Sequence, residues 1–492
     1  MIMVKLWNKI SSNVKQNLGI FLIALVFFIF VPRLFGLEYI SGSGSMLNTH
    51  KLIGLKLLGY DYKFSILETP KPLVDILLIF SSINIFNFLI PLACAAWLVC
   101  ACYLCRRYTG SAWDGVFVFL LFIFSNTVVL PDFVFLNSGI SAVYFAWLML
   151  AVICFSRGSY GWCALMLLGG GLVRPEAWVA SFLFVGWVLL KHRKEFRKKY
   201  LICLAAPFLW ILFDWRISGD FFYSSHQIHN YCKVSGFVPI DFKSFWLMLA
   251  FFIRHYFGLF IVVIGSAGAI ATVRWFKSAD GGRAVYALMV LAVIPIGLYA
   301  MNALCSEDLF LYPRFFVSLL FFASFGVVLL SAALIKNKLL RTCVLSFILL
   351  IAFRSDMVVG LYKAHAVDRT KSESINNVFS FLDGYLPGHK IKGQVALGSS
   401  VDAFSSRYGT IFSKQTVNIR ELGSNLDLLD KLVPGIFIWI PFDSTISGSR
   451  FDFLASPQDR LVSGYIFSPL FIGKDGMGIV YSVKRERKLL VR

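Results

Sequence analysis

Residues 160–199 read YGWCALMLLGGGLVRPEAWVASFLFVGWVLLKHRKEFRKK: two apolar runs parted by Arg174-Pro175-Glu176 and followed by six cations. An arginine and a glutamate inside apolar sequence are expensive in hydrocarbon unless they are paired or reach water. The residue before a proline is also pushed out of helical backbone space. Read as one span, the segment leaves Lys191, Arg193, Lys194, Arg197, Lys198 and Lys199 outside the cell. Read as a tight helical hairpin with Arg174-Pro175-Glu176 at its outer apex, it keeps them in the cytoplasm, where Lys and Arg accumulate. The arms are short for a bilayer, which takes about 20 apolar residues per crossing. The cation bias nonetheless favours the hairpin.

Working outward, further apolar runs lie at 17–36, 73–102, 113–130, 139–156, 201–218, 245–272, 285–302, 315–335 and 339–353. With the hairpin these make eleven spans, N-terminus inside. On that topology eighteen Lys and Arg fall on the inner side before residue 354 and eleven on the outer side, a self-consistent excess. The expected fold is therefore a polytopic α-helical membrane protein with about eleven transmembrane helices, 1–353. No small-residue cleavage site follows the first apolar stretch, so 17–36 is read as a retained span rather than a signal peptide.

Composition excludes the alternatives. Hydrophobic residues make up 58% of the 492 residues and charged ones 15%, with a mean hydropathy of +0.74. A soluble chain could not bury so much apolar surface. The net charge of +20 comes from short clusters between apolar runs, with no basic stripe along one face, which argues against nucleic acid as a partner. Cys94, Cys100, Cys154 and Cys203 sit in apolar runs and act as small hydrophobes. Cys102 and Cys105 form a CxxC, but with no second pair or nearby histidine they do not make a zinc or redox site.

After residue 353 the composition becomes mixed. Strand-like runs at 394–397, 436–440 and 478–483 and a helix-like stretch near 374–382 point to a small α/β domain, 354–492. An odd span count places it outside the cytoplasm.

Acids show where chemistry would occur. Eleven of the fourteen before residue 354 fall on the outer side, among them Glu38, Asp61, Asp75, Glu176, Asp214, Asp220 and Asp241. The short inner loops hold no Gly-rich phosphate cradle and no Walker motif. An enzyme here works at the outer face, on something other than a cytosolic nucleotide. Glu38, just past the first span, and Asp61, between two tyrosines, are the candidate bases for a hydroxyl proton. Each is equally an ordinary hydrated loop acid.

Lys71, locked between Pro70 and Pro72, either holds a phosphate at the membrane face or snorkels. Arg174, Arg254 and Arg314 converge on the same face and would suit a phosphodiester or pyrophosphate, while Glu176 either supports the hairpin by pairing with Arg174 or helps a ligand bind. His226 and His229, with Cys232, have helical spacing but no fixed acidic partner, which makes a weak case for a metal. No organic cofactor is implied, and a divalent metal is left open.

Together these segments resemble the GT-C superfamily of membrane glycosyltransferases, in its arabinofuranosyltransferase-like branch. Leu172-Val173-Arg174-Pro175-Glu176 resembles that branch's Leu-Thr-Arg-Pro-Glu segment, and Tyr312-Pro313-Arg314-Phe315 its Arg-Tyr or Arg-Phe segment. Thr69-Pro70-Lys71-Pro72-Leu73 is similar to the Lys-Pro or His-Pro turn before the second span. Asn137-Ser138-Gly139-Ile140-Ser141 resembles a Ser-Gly-Leu-Glu-Thr segment, with Ser141 where the family has its acid. The resemblance implies transfer of a sugar from a polyprenyl-phosphate carrier to a glycan, lipid or protein acceptor in the cell envelope. The site would lie at the outer face of a bacterial inner membrane, surrounded by lipid and with the C-terminal domain in the periplasm. It implies a first-loop carboxylate, Glu38 or Asp61, as base, and Lys71, Arg174 and Arg314 as phosphate ligands, to which the topology adds Arg254. The rival is a lipid or oligosaccharide flippase. That class favours repeats and paired broken helices, and only the broken segment at 160–190 fits it.

Overall fold

The structure is a computed structural model that describes residues 12–34, 46–60, 70–80, 83–124, 140–227, 246–247, 250, 254, 258–275, 317–353, 355–389, 391, 393–397, 404, 407–408, 416–418, 435–441, 452–462 and 464–486. Its elements group into two compact units. The first comprises Met1–Tyr39, Lys71–Val74 and Asn84–Gly360; the second comprises Ile40–Pro70, Asp75–Ile83 and Leu361–Arg492.

The first unit is helical. Along the chain the helices are α1 (Ser12–Leu34), α2 (Met46–Leu57), α3 (Pro72–Phe80), α4 (Ile83–Thr109), α5 (Trp113–Phe124), α6 (Ile140–Ser156), α7 (Tyr160–Val173), α8 (Glu176–Lys191), α9 (Ala205–Ser218), α10 (Leu259–Trp275), α11 (Val317–Leu334), α12 (Lys338–Ala352) and α13 (Ser355–Tyr385). Of these, α2, α3 from Asp75 onward and α13 from Leu361 onward lie in the second unit. The run expected as one span at 73–102 is thus two helices, α3 and α4. The run at 285–302 lies outside the described residues.

Trp97 on α4 organises the core of this unit. Its ring lies 4.8 Å from Phe119, 4.6 Å from Phe122 and 5.5 Å from Phe321, drawing α5 and α11 around α4 in tilted and edge-on contacts.

The segment at 160–190 is a hairpin, as its sequence suggests. Arg174, held by Pro175, is extended (φ −148°, ψ 134°) and ends α7; Pro175 caps α8. The arms run antiparallel, because Tyr160 at the start of α7 lies 6.2 Å from Phe184 and 5.6 Å from His192 at the far end of α8. Fourteen and sixteen residues give arms of roughly 21 and 24 Å at 1.5 Å per residue, less than the ~30 Å hydrocarbon core. Among the described residues, Phe88–Thr109 and Lys198–Ser218 are long and apolar enough to cross a bilayer, and seven further apolar helices have 10–17 residues.

The second unit ends in a six-stranded mixed sheet: β1 (Val395–Leu397), β2 (Thr416–Asn418), β3 (Gly435–Trp439), β4 (Arg460–Val462), β5 (Tyr465–Ile472) and β6 (Ile479–Arg485), in the order β2-β1-β3-β6-β5-β4. β1 runs parallel to β2 and β3; the other pairings are antiparallel. Phe437, Phe467, Ile479, Tyr481 and Val483 form its buried core. The second half of α13 packs on the sheet, with Phe381 stacked on Phe471 at 4.7 Å.

Candidate functional site

The apex of the α7–α8 hairpin is built from helix-end chemistry. The last carbonyls of α7 have no partners further along that helix. Arg174 N–H donates to the Gly170 carbonyl at 2.8 Å, and the Trp178 indole donates to the Gly171 carbonyl at 2.9 Å. Glu176 stands at the first position of α8, where a carboxylate suits the positive end of the helix dipole. Its Oε1 lies 3.6 Å from Arg174 Nη1, with side chains 13% and 12% exposed. That is a charge contact rather than a good hydrogen bond, and Glu176 Oε2 is buried without a hydrogen-bond partner. Arg174 also lies over the buried Tyr144 ring of α6, 5.7 Å from its centroid. The hairpin's own ion pair is therefore present, and it leaves an acceptor unsatisfied.

Trp178 leads to the rest of the site. Its ring meets Trp210 of α9 edge-on at 5.6 Å, and the Lys71 ammonium sits over the Trp210 ring at 5.7 Å. Lys71 directly precedes α3, whose first residue, Pro72, needs no backbone donor there. Trp210 is fixed in turn. Its Nε1–H donates to Ser224 Oγ at 2.8 Å, Ser224 Oγ–H donates to Asp214 Oδ1 at 2.8 Å, and Ser224 N–H donates to Asp214 Oδ2 at 3.0 Å.

Ser224 reaches back to α9 because that helix ends abruptly. Gly219 adopts φ +75° and donates to the Trp215 carbonyl, a left-handed cap that glycine takes without strain. Asp220 then caps the helical turn 223–227 by accepting from Phe222 N–H at 2.9 Å. That bond, with His226 Nδ1 at 2.5 Å, holds the exposed Asp220 carboxyl below its ordinary value.

Of the residues singled out by sequence, Lys71, Arg174 and Glu176 thus belong to one contact-linked neighbourhood. Arg254 is exposed, and among the described residues no contact ties it to Lys71 or Arg174. Glu38, Asp61 and Arg314 lie outside the described residues, as do His229 and Cys232. Ser141, where the family's acid would stand, is buried on α6. Trp178, Trp210 and Ser224 were not singled out, and Asp214 was named only among the outer-side acids. Only Asp214 carried a usable signal, as an acid inside an apolar helix.

The comparisons bear on the fold. No known protein family matches the sequence, and no curated protein does. Among solved structures, the crystal structure of ArnT from Cupriavidus metallidurans bound to undecaprenyl phosphate is similar, with a TM-score of 0.52 over 96% of this chain and 98% of that one, at 10% identity. The class defined is a helical membrane-protein fold with a C-terminal sheet region. The particular likeness is to ArnT.

Proposed function

We propose that the protein is a glycosyltransferase that moves a sugar from a polyprenyl-phosphate carrier to a cell-envelope acceptor at the outer face of a bacterial inner membrane. The observation that carries this is Lys71 over Trp210, whose ring meets Trp178 of the hairpin that bears Arg174 at its apex, in a chain sharing its fold with ArnT, a GT-C glycosyltransferase. ArnT was crystallised with undecaprenyl phosphate. The Leu172–Glu176 segment supports the finer assignment to the arabinofuranosyltransferase-like branch.

In this reading the acceptor hydroxyl oxygen attacks the anomeric carbon as its proton passes to Glu38 or Asp61. The bond from that carbon to the phosphate oxygen breaks, and the electron pair leaves on the lipid phosphate. Lys71, Arg174, Arg254 and Arg314 stabilise the departing charge. The mechanism uses no organic cofactor, and a chelator tests for a divalent metal. The domain 354–492 faces the periplasm and holds the acceptor.

Purified full-length protein tests the proposal. Lipid extracted from it and identified by mass spectrometry should carry a polyprenyl phosphate, and Lys71→Met should lose it. Movement of lipid across vesicle membranes without sugar transfer would instead support the flippase.

A further inference from the structure

Lys71 carries a mobile charge, and a lysine at a membrane surface ordinarily swings toward water. Here a specific arrangement opposes that. Tryptophan gives the strongest cation–π contacts, effective within about 6 Å of the ring; Trp210 receives the ammonium at 5.7 Å. The ring cannot rotate freely, because its Nε1–H is bound by Ser224, and an indole nitrogen only donates. Ser224 Oγ must accept that bond, so its own proton goes elsewhere, to Asp214 Oδ1. Asp214 takes the Ser224 backbone N–H on its other oxygen, fixing both orientation and polarity. Trp210 and Asp214 are 3% and 2% exposed. Lys71 also interacts electrostatically with Asp214.

We infer that Asp214, Ser224 and Trp210 form a positioning relay that holds the Lys71 ammonium toward the donor phosphate. None of the three needs to touch substrate; each acts through Lys71. The inference rests on the proposed phosphate-binding role of Lys71.

The test is a set of double-mutant cycles on the full-length protein in detergent, with undecaprenyl phosphate as the probe. In the wild-type background, Asp214→Asn, Ser224→Ala and Trp210→Leu should each weaken binding roughly two- to thirty-fold, the range of a surface to desolvated cation–π contact. Trp210→Phe keeps a ring face and should lose less than Trp210→Leu. In a Lys71→Met background the same changes should each cost under about twofold, because residues acting through one group are not additive. Equal losses in both backgrounds would show that the three only support α9 and would overturn the relay alone. Unchanged binding in Lys71→Met would overturn the phosphate-site reading, and the relay with it. Melting temperatures separate poor folding from poor binding. Should Asp214→Asn unfold the protein, Ser224→Ala and Trp210→Phe still close their cycles.

Discussion

Nδ1 of His50 lies 2.7 Å from Oδ1 of Asp75, and both side chains are fully buried. The pair joins α2 to α3 where the helices touch: a Cβ on Gly54, one turn from His50, would meet the Asp75 carbonyl oxygen at 2.4 Å. Only glycine permits that approach. His50 Nε2 is buried without a hydrogen-bond partner, so the imidazole has one fixed role, presenting Nδ1 to the carboxylate.

Removing either member breaks this buried contact. His50→Ala or Asp75→Ala should each cost about 1–3 kcal/mol, the desolvation of an unsatisfied buried group. His50→Leu with Asp75→Leu should cost clearly less than the sum of the singles, since both polar groups go together. Thermal unfolding in detergent decides this; simple additivity would mean the two side chains do not act as a pair.

A second buried pair lies in the first unit. Arg341 Nη2 of α12 is 3.0 Å from Asp114 Oδ2 of α5, each side chain 4% exposed. Breaking one partner of such a pair typically costs about 3–5 kcal/mol. Asp114→Asn and Arg341→Leu should each lower the melting temperature markedly. The double Asp114→Leu/Arg341→Leu should recover much of the loss, because no charge is then left alone in the interior.

These pairs show where sequence stopped being informative. The hairpin was legible because Arg174-Pro175-Glu176 combines a backbone constraint with charge in apolar surroundings, both local signals. β1, β3 and β6 were legible as apolar runs. The β4–β5 hairpin was not, because Pro469 interrupts the β5 pattern. It is tolerated there because β4 pairs with β5 only as far as Phe467, and a register shift follows at Pro469/Phe471. Asp114 and Arg341 are 227 residues apart and Asp214 lies inside an apolar helix, so no pattern revealed their partners. Trp178 and Trp210 stand in apolar runs with no local feature that marks them. Which residues share a site is a long-range packing outcome, and short motifs do not encode it.

The C-terminal sheet carries a prediction for alkaline pH. Burial raises the Tyr481 hydroxyl to about 12, against the small opposing effect of Arg460. The hydroxyl donates to the Leu454 carbonyl at 2.7 Å. An unfolded tyrosine ionises near ~10, so the neutral form is favoured by folding. Its contribution is whole below about pH 10 and is lost as the pH climbs toward the folded value. Wild-type melting temperature should thus fall more steeply than that of Tyr481→Phe between those limits. Parallel curves would mean that this hydroxyl is not linked to unfolding.

Glu38→Gln or Asp61→Asn should abolish sugar transfer while leaving the protein folded and inserted, since an outward-facing transferase needs a base in reach of its acceptor. If both single variants keep full activity, the base is elsewhere, with Asp220 or Asp241 to be tested next. Asp220 is the weaker of those two on physical grounds. The Phe222 N–H and His226 hold its carboxyl low, which keeps it ionised but poorly basic.

Arg174 and Glu176 set the last contrast. If the 3.6 Å contact between them only braces the hairpin, Arg174→Ala and Glu176→Ala should lower thermal stability alike, and phosphate-lipid affinity in the folded protein should not move. If Arg174 serves the donor phosphate, Arg174→Ala should lose roughly tenfold to a hundredfold in affinity, the value of a charge-assisted hydrogen bond of about 1.5–3 kcal/mol. Glu176→Ala should then leave affinity equal or improved, because it frees the guanidinium and removes a negative charge from beside the anion. Arg174→Lys should rescue only in part, since an ammonium lacks the planar fork that grips two phosphate oxygens. Arg314→Ala should behave like Arg174→Ala. Binding of undecaprenyl phosphate and melting temperature, measured on the same four preparations, separate the cases. A large loss of stability with unchanged binding in Arg174→Ala would remove Arg174 from the phosphate site.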